Sequence, residues 1–356
     1  MSGLFLRQLN GAIRPDDTRR GNRKGISLDA ARTTLDLGLE TVDSLEALHR
    51  EAGPLSWPAP FVLPGWIRAW HAAFGREELQ LWSFRENGAA VGLAPLQVAG
   101  HTASLAGSPD VCDHLDLVAA PGREREVCRA LIEHLGRFES VDRLDFGPAR
   151  PDSVVVRALL PEARTLGLSC EVIEDEAVYQ MPLPASWEGY LASLSGKERH
   201  EVRRKLRRGG EAFGFEMTGG SEAAVEEFIR LFRRNRTDKA DFMDARMERF
   251  FRSLALQLPE TRLGRLRVDG ALAAAVWCFD HGPTRYLYNS GYDANYSGLS
   301  VGLACKLLSI RDAIDRGLGT YDFLKGNETY KRRLGGEPVP LVRCRIELRP
   351  AGRGTA

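Results

Sequence analysis

The stretch that decides the fold reads Tyr-Asp-Phe-Leu-Lys-Gly-Asn-Glu-Thr-Tyr-Lys-Arg-Arg-Leu-Gly and runs from Tyr321 to Gly335. Its first four residues predict a short buried strand, which runs into a turn at Lys325-Gly326-Asn327 and then into a short polar helix. The carboxyl ends of strands in α/β folds open into crevices, where these folds usually place their chemistry. We therefore expect this stretch to border the functional site.

The composition bounds the class of protein. A length of 356 residues favours two domains over one, and a formal net charge of +1 argues against binding DNA through a global positive field. The six cysteines are scattered without the spacing of zinc ligands. We therefore expect buried thiols in a reducing compartment, and no metal.

The chain begins with a polar, Arg-rich segment, residues 1–37, which has little apolar periodicity and which we expect to be a mobile leader. This segment carries no apolar signal core, and no run in the sequence approaches the length needed to span a bilayer. These features favour a cytoplasmic protein without a transmembrane segment.

The two halves of the chain repeat one order of predicted elements. Each has a hairpin, at Asn87-Gly88 and at Asp269-Gly270, where the turn residues must adopt positive φ. Each hairpin is followed by further strands and a helix, and Leu144-Asp145-Phe146 in the first half echoes Tyr321-Asp322-Phe323 in the second. The pattern predicts duplication of one α/β unit.

The predicted units span residues 38–180 and 181–350, and the second has features that the first lacks. Ser195 to Glu198 has capping-box spacing, and the helix that it begins is almost entirely basic as far as about Arg208. The Tyr330-Lys331 segment is the other feature. We therefore expect the halves to have diverged, with catalysis in the second.

Five short motifs together resemble one family, the CelD-like branch of the GNAT acyltransferases, which is related to the FemAB and FemX aminoacyl transferases. The resemblance covers roughly Trp57 to Leu348, and the motifs are Gly92 to Leu96, Asp113 to Leu117, Tyr190 to Ser195, Tyr296 to Gly302 and Asp322 to Leu334. It implies an α/β fold with a mixed sheet and tandem GNAT-like domains. The implied activity is that of an N- or O-acyltransferase that takes an acyl group, probably acetyl, from acyl-CoA.

The resemblance also implies where the acyl donor binds. A GNAT donor is held by its pyrophosphate at a helix start, where free amides and the helix dipole favour an anion. The corresponding residues are Tyr296, Ser297, Gly298, Leu299, Ser300, Val301 and Gly302. No Arg or Gln leads this run as the family pattern requires, so an ordinary glycine-containing helix start is the alternative.

The candidate catalytic residues are Lys331, Glu328, Asp322 and Tyr330. The resemblance assigns Lys331 to stabilising charge on a tetrahedral oxyanion, while the charge run that contains it is also typical of a solvated helix face. Asp322 and Glu328 are candidates for the base that takes a proton from the acceptor. Asp145 occupies the position equivalent to Asp322 in the first half, so a purely structural role for Asp322 is the alternative.

Candidate substrate-binding residues lie elsewhere along the chain. Asp113 and His114 fall where related transferases bind the acceptor, and Tyr292 and Asn295 flank the donor loop. The basic helix offers arginines for phosphates of a donor, a lipid-linked sugar or tRNA, chiefly Arg203 and Arg204. A solvated basic helix is the alternative.

Three functions follow in order of preference. The first is acyl transfer from acyl-CoA to an amine or hydroxyl of a small molecule, a sugar, an exopolysaccharide or another cell-envelope precursor. The second replaces the thioester with aminoacyl-tRNA, and the absence of a long helical insertion in the sequence makes tRNA the less favoured partner. The third is a non-catalytic scaffold that retains the fold.

Overall fold

The computed structural model of the chain describes residues 35–51, 53–75, 77–235 and 242–349. Of the predicted mobile leader, residues 1–34 lie outside these ranges, and the first strand begins at Asp36. The helices are α1 (Val42–Arg50), α2 (Pro64–Phe74), α3 (Glu124–Leu135), α4 (Leu160–Thr165), α5 (Trp187–Ser193), α6 (Gly196–Gly209), α7 (Glu222–Asn235), α8 (Ala245–Gln257), α9 (Val301–Asp315) and α10 (Thr329–Arg333).

Thirteen strands form one mixed sheet in the described ranges. They are β1 (Asp36–Glu40), β2 (Leu79–Glu86), β3 (Ala89–Ala99), β4 (Thr102–Leu105), β5 (Val118–Ala119), β6 (Arg143–Ala149), β7 (Ser169–Pro182), β8 (Phe213–Thr218), β9 (Thr261–Val268), β10 (Ala271–His281), β11 (Thr284–Tyr292), β12 (Thr320–Lys325) and β13 (Glu337–Glu347). Their spatial order is β1-β2-β3-β4-β6-β13-β7-β12-β11-β10-β9-β8, with β5 paired to β3 off this path.

Both predicted hairpins form. Asn87 and Gly88 have φ of 51° and 84°, and Asp269 and Gly270 have φ of 48° and 82°. These angles are those of a turn that matches the twist of the flanking strands. The strands that follow also correspond, because β4 pairs with β6 in parallel in the first half as β11 pairs with β12 in the second. The predicted α/β fold with a mixed sheet built from a duplicated unit is confirmed.

The two halves exchange their last strands. β7 comes at the end of the first half in sequence but pairs with β12 of the second half. β13 closes the chain, and it pairs with β6 of the first half on one side and with β7 on the other. The alternating burial predicted for the final strand is present, because Val342, Cys344 and Ile346 are fully buried on one face. The sheet therefore runs without a break from one half to the other.

Helices cover both faces of the second half. On β10, Trp277 and Phe279 pack into a cluster with α2, α7 and α8, while Val276 and Cys278 pack into another with α9. The alternation follows from the two-residue period of a strand. Among the described helices, none is long and apolar enough to cross a membrane.

Candidate functional site

The parallel strands β11 and β12 pair over only three residues each and then part. Thr284 to Tyr286 pair with Thr320 to Asp322, after which β11 continues to Tyr292. β12 turns away through Leu324, a non-glycine residue with φ of 58°. Left-handed backbone at a bulky residue is strained, so the surrounding contacts must impose it. The result is an opening at the carboxyl end of β12.

Asp322 stabilises this turn through its two carboxyl oxygens. Its Oδ1 accepts from the Leu324 amide at 2.7 Å, and its Oδ2 accepts from Gln180 Nε2 at 2.6 Å. Arg150 Nη1 lies 3.8 Å from Oδ2. The carboxyl is fully buried, and this burial raises its pKa to about 6. Asp322 therefore fixes the strand end and is also a group that can hold or release a proton near neutral pH.

Lys331 stabilises the same turn through its ammonium group. Its ammonium donates to the carbonyl oxygens of Leu324, at 3.1 Å, and of Lys325, and it forms an ion pair with Glu328 Oε2 at 3.1 Å. The side chain is only 2% exposed, so the interpretation as a solvated helix face does not apply. Three protein acceptors match the three N–H donors of a lysine ammonium. In this arrangement Lys331 stabilises the turn directly.

A cavity of about 330 Å³ opens at the start of α9. The predicted donor residues Ser297, Ser300, Val301 and Gly302 line it, together with Tyr292 and Tyr330. Ser300 adopts left-handed backbone with φ of 56°, and no side chain caps the first amides of α9. Uncapped amides and the helix dipole make this end of the cavity suited to an anion.

Three cations meet this loop: Arg208 of the predicted basic helix, and two lysines that the sequence analysis did not single out. Lys205 Nζ donates to Ser300 Oγ at 3.0 Å, and Lys306 Nζ donates to the Gly302 carbonyl at 3.3 Å. Arg208 donates to the Gly298 carbonyl at 2.8 Å. Lys306 lies one turn after Gly302 and is the one charged residue between Val301 and Ile310, and that isolated charge is the sequence signal that could have identified it.

Tyr330 forms the wall of the cavity next to the turn. Lys306 Nζ lies 4.9 Å from its ring centroid, within the range of a cation–π contact. Burial raises the pKa of the Tyr330 phenol above its usual value. The phenol therefore keeps its proton at neutral pH and can share it in a hydrogen bond. Glu328 is more exposed, at 58%, and its carboxylate faces Lys331.

The other residues predicted for the donor loop and its flank do not line this cavity, with the exception of Tyr292. Tyr296 lines a separate cavity of about 300 Å³ with Arg230 and Arg234. Leu299 packs partly buried against the core on the α9 side. Asn295 donates its amide to Asp293 Oδ1 at 2.9 Å, which shapes the start of the loop.

The arginines predicted to bind phosphates on α6 point away from the cavity. Arg203 lies 3.5 Å from Glu188, and Arg204 forms two hydrogen bonds with Glu201 at 2.7 and 2.8 Å. Ser195 begins α6 as predicted, because its hydroxyl accepts from the Glu198 amide at 3.2 Å. The same helix thus presents one face to the donor loop and another, with these arginines, to solvent.

Asp113 and His114 lie at the junction of the two halves. Asp113 Oδ1 accepts from the Lys325 amide at 2.9 Å, so a first-half residue reaches the end of β12. The His114 ring packs against Tyr286, with centroids 6.1 Å apart. Tyr286 is where β11 and β12 stop pairing. Within the described ranges no group of three or more His, Cys, Asp or Glu side chains is arranged to hold a metal ion.

Comparison with curated proteins gave no match. Residues 196–332 match the family model of the acetyltransferase (GNAT) domain. Among solved structures, FemX superposes with a TM-score of 0.61 at 11% identity, covering 86% of this chain and 96% of FemX. A conserved protein of unknown function from Bacteroides thetaiotaomicron gives 0.57 at 14% identity, covering 88% of this chain and 100% of that protein.

The structure of L-PGS from Bacillus licheniformis gives a TM-score of 0.51 at 11% identity, covering 80% of this chain and 91% of that protein. At these sequence identities the superpositions show a shared fold and nothing more. The segment that matches the family model contains α6, the donor loop, α9 and the β11–β12 opening. Residues 196–332 thus match a GNAT acetyltransferase domain, within a fold that 86% of the chain shares with FemX.

Proposed function

We propose that the protein is an acyltransferase that moves an acyl group from acyl-CoA to an amine or hydroxyl. One observation carries the proposal: the cavity at the start of α9 combines uncapped helix amides with Lys205 and Lys306, and it lies inside the segment similar to a GNAT acetyltransferase domain. Amides, ammonium groups and hydroxyls in one cavity form a donor set that fits a pyrophosphate.

The side chains around the cavity supply the remaining roles. Acyl-CoA would bring the activated thioester. Tyr330, which keeps its proton, is suited to donate a hydrogen bond to the thioester or to the departing sulfur, and Lys331 holds the β12 turn in place. Glu328 and Asp322 are the candidates for accepting the proton of the acceptor, Glu328 because it is exposed and Asp322 because its pKa is raised to about 6.

The test is binding of acetyl-CoA to the full chain by calorimetry. Lys205→Met should weaken binding about tenfold or more, because it removes a charge-assisted contact to the donor anion. Lys197→Met is the matched control, since Lys197 is exposed near the start of the same helix and lines no described cavity. Absence of binding to acetyl-CoA and to longer acyl-CoA thioesters would overturn the proposal.

A second candidate uses aminoacyl-tRNA as the donor. Two features favour it, the fold shared with FemX and the solvent-facing arginines of α6. Binding to tRNA should then fall steeply with salt, and neutralising Arg203 and Arg204 together should reduce the slope by about two. The same pair of substitutions should leave acetyl-CoA binding unchanged, so one variant separates the two donors.

The acceptor that we propose is a cell-envelope or lipid-linked molecule. The CelD-like resemblance supports a sugar, exopolysaccharide or cell-envelope precursor, and the fold shared with L-PGS adds lipid-linked acceptors as a class. A scaffold without catalysis is the outcome if neither thioester nor aminoacyl-tRNA binds.

A further inference from the structure

A third, smaller cavity lies at the junction of the two halves. Its volume is about 100 Å³, enough for a group of a few non-hydrogen atoms. Its polar lining is His114, Asp116, Arg150, Asp152 and Ser153. None of these residues lines the cavity at the start of α9, so the two spaces are distinct.

His114 is the unusual member of this lining. The side chain is only 3% exposed, and its Nε2 has no hydrogen-bond partner in the part of the chain that the structure describes. Burying a polar nitrogen without a partner costs free energy, which a bound group would recover. Burial also lowers the pKa of His114 to about 3, so the ring is neutral and is able to carry its hydrogen on Nε2.

Arg150 supplies a second available donor. Its Nε and Nη2 bind the two oxygens of Asp152 at 3.0 and 3.3 Å, and Nη2 also donates to Gln180 Oε1 at 3.1 Å. Its Nη1 makes no hydrogen bond to a described residue and only faces Asp322 Oδ2 at 3.8 Å. The guanidinium therefore has N–H groups to offer.

The carboxylates of the lining are already satisfied. Asp116 accepts from the amides of Leu117, Val154 and Val155, at 2.9 to 3.1 Å. Asp152 is paired with Arg150. What the cavity has left to offer is donors, from His114 and Arg150, and donors select an oxygen acceptor over an ammonium group.

The position of the cavity relates it to the reaction. His114 packs on Tyr286, and Arg150 faces Asp322. Tyr286 and Asp322 are the last paired residues of β11 and β12. Tyr286 belongs to the core cluster on the face opposite α9. The cavity therefore lies beside the β11–β12 opening, on the other face of the sheet from the α9 helix.

We propose that this cavity binds a carboxylate, through His114 Nε2–H and Arg150 Nη1–H. Resting on the proposed acyl transfer, the carboxylate is that of the acceptor. The acceptor class is thereby narrowed to molecules that carry a carboxylate as well as the reacting amine or hydroxyl, such as an amino acid, a peptide end or an acidic sugar.

The experiment uses the full chain with ¹⁵N-labelled histidine and no acyl-CoA, and acetate as the probe. Addition of acetate should shift the His114 Nε2 resonance in a saturable way. Acetamide, which has the same shape without the charge, should bind about tenfold or more weakly, since charged hydrogen bonds are the stronger ones. Methylammonium should not shift the resonance.

Two variants complete the test. Arg150→Gln should weaken acetate binding about tenfold to a hundredfold. Arg143→Gln should not, because Arg143 lies on β6 outside the cavity and pairs with Glu347 of β13. If Arg150→Gln fails to fold, the comparison of the three probes on the unaltered protein decides. No shift with acetate, an equal shift with acetamide or a shift with methylammonium would overturn the inference.

The acetate experiment and the acetyl-CoA experiment can fail independently. Acetate binding at His114 without any thioester binding would retain the carboxylate site and remove acyl transfer from acyl-CoA. Binding of acetyl-CoA without a response of His114 to acetate would do the reverse.

Discussion

At the scale of single residues, Lys331 shows how burial changes the meaning of a charge. In the sequence it stands in a run of three basic residues, which is typical of a solvated surface. In the structure its ammonium is enclosed by the carbonyls of Leu324 and Lys325 and by Glu328. A short helix places one residue of the run inward and leaves Arg332 and Arg333 exposed.

Lys331→Met tests this structural role. The substitution leaves two carbonyl oxygens without their donor, and we expect the free energy of unfolding to fall by about 2–4 kcal/mol. Urea denaturation measures it, and Arg333→Met, at the exposed neighbour, should change it by less than about 0.5 kcal/mol. Unchanged stability with lost acyl transfer would instead assign Lys331 to the chemistry.

Asp322 gives a prediction for pH. Its pKa in the folded protein, about 6, lies above the ordinary value of 3.8, so the folded state binds the proton more tightly than the unfolded state. Stability from this group is therefore present at low pH and is lost as pH rises from about 4 to about 6, by about 3 kcal/mol. Asp322→Asn cannot ionise, so the fall should be smaller in that variant.

The measurement is the free energy of unfolding at several pH values from 4 to 7. The quantity to compare is the fall in the free energy of unfolding in the unaltered protein and in Asp322→Asn. The comparison is needed because Asp113 and Asp116 also have raised pKa values and contribute falls of the same sign in both proteins. Asp145→Asn is the matched control at the equivalent position of β6. Because Asp145 is ion-paired with Arg343 and Arg345, that variant should lose stability at neutral pH. Identical pH dependence with and without the Asp322 carboxyl would contradict the prediction.

At the scale of elements, the turn after β12 depends on glycine. Gly326 has φ of 111°, and a Cβ there would lie 2.4 Å from Glu328 Oε2 and 3.0 Å from Lys331 Nζ. Gly326→Ala should therefore strain the backbone, displace the ion pair and destabilise the protein by about 1–3 kcal/mol.

Thermal unfolding followed by circular dichroism measures this loss. Gly298→Ala is the matched control, because a Cβ at Gly298 meets nothing within 4 Å. It should leave the midpoint nearly unchanged. Equal effects of the two substitutions would mean that the turn does not depend on close packing at Gly326.

How far the sequence could predict the elements depends on whether their signals are local. The hairpins at Asn87-Gly88 and Asp269-Gly270 were predictable because the turn chemistry is contained in two residues. The donor loop was assigned by the family resemblance instead, and a helix, α9, does begin there. Lys205 and Lys306 were not identified, because their approach to one cavity depends on the packing of α6 against α9, which no local pattern encodes.

At the scale of the whole molecule, the exchanged strands join the two units. The duplication was visible in the sequence as a repeated order of elements, but the partners of the final strand were not. β13 pairs with β6, roughly two hundred residues earlier, and only the folded sheet brings the two together. Because β13 contacts both β6 and β7, loosening one unit removes a neighbour from the other.

This arrangement predicts that the halves unfold together. Leu144→Ala, at a fully buried position near the start of β6, should cost about 2–5 kcal/mol. Although the substitution is in the first half, protection against hydrogen exchange in rising urea should fall to the same extent for peptides from β3 and from β10. Ala273→Gly, in β10 of the second half, should likewise lower the protection of both sets of peptides to the same extent. If Leu144→Ala weakened protection in β3 alone, the two units would be independently stable, and β13 would join them without making their folding cooperative.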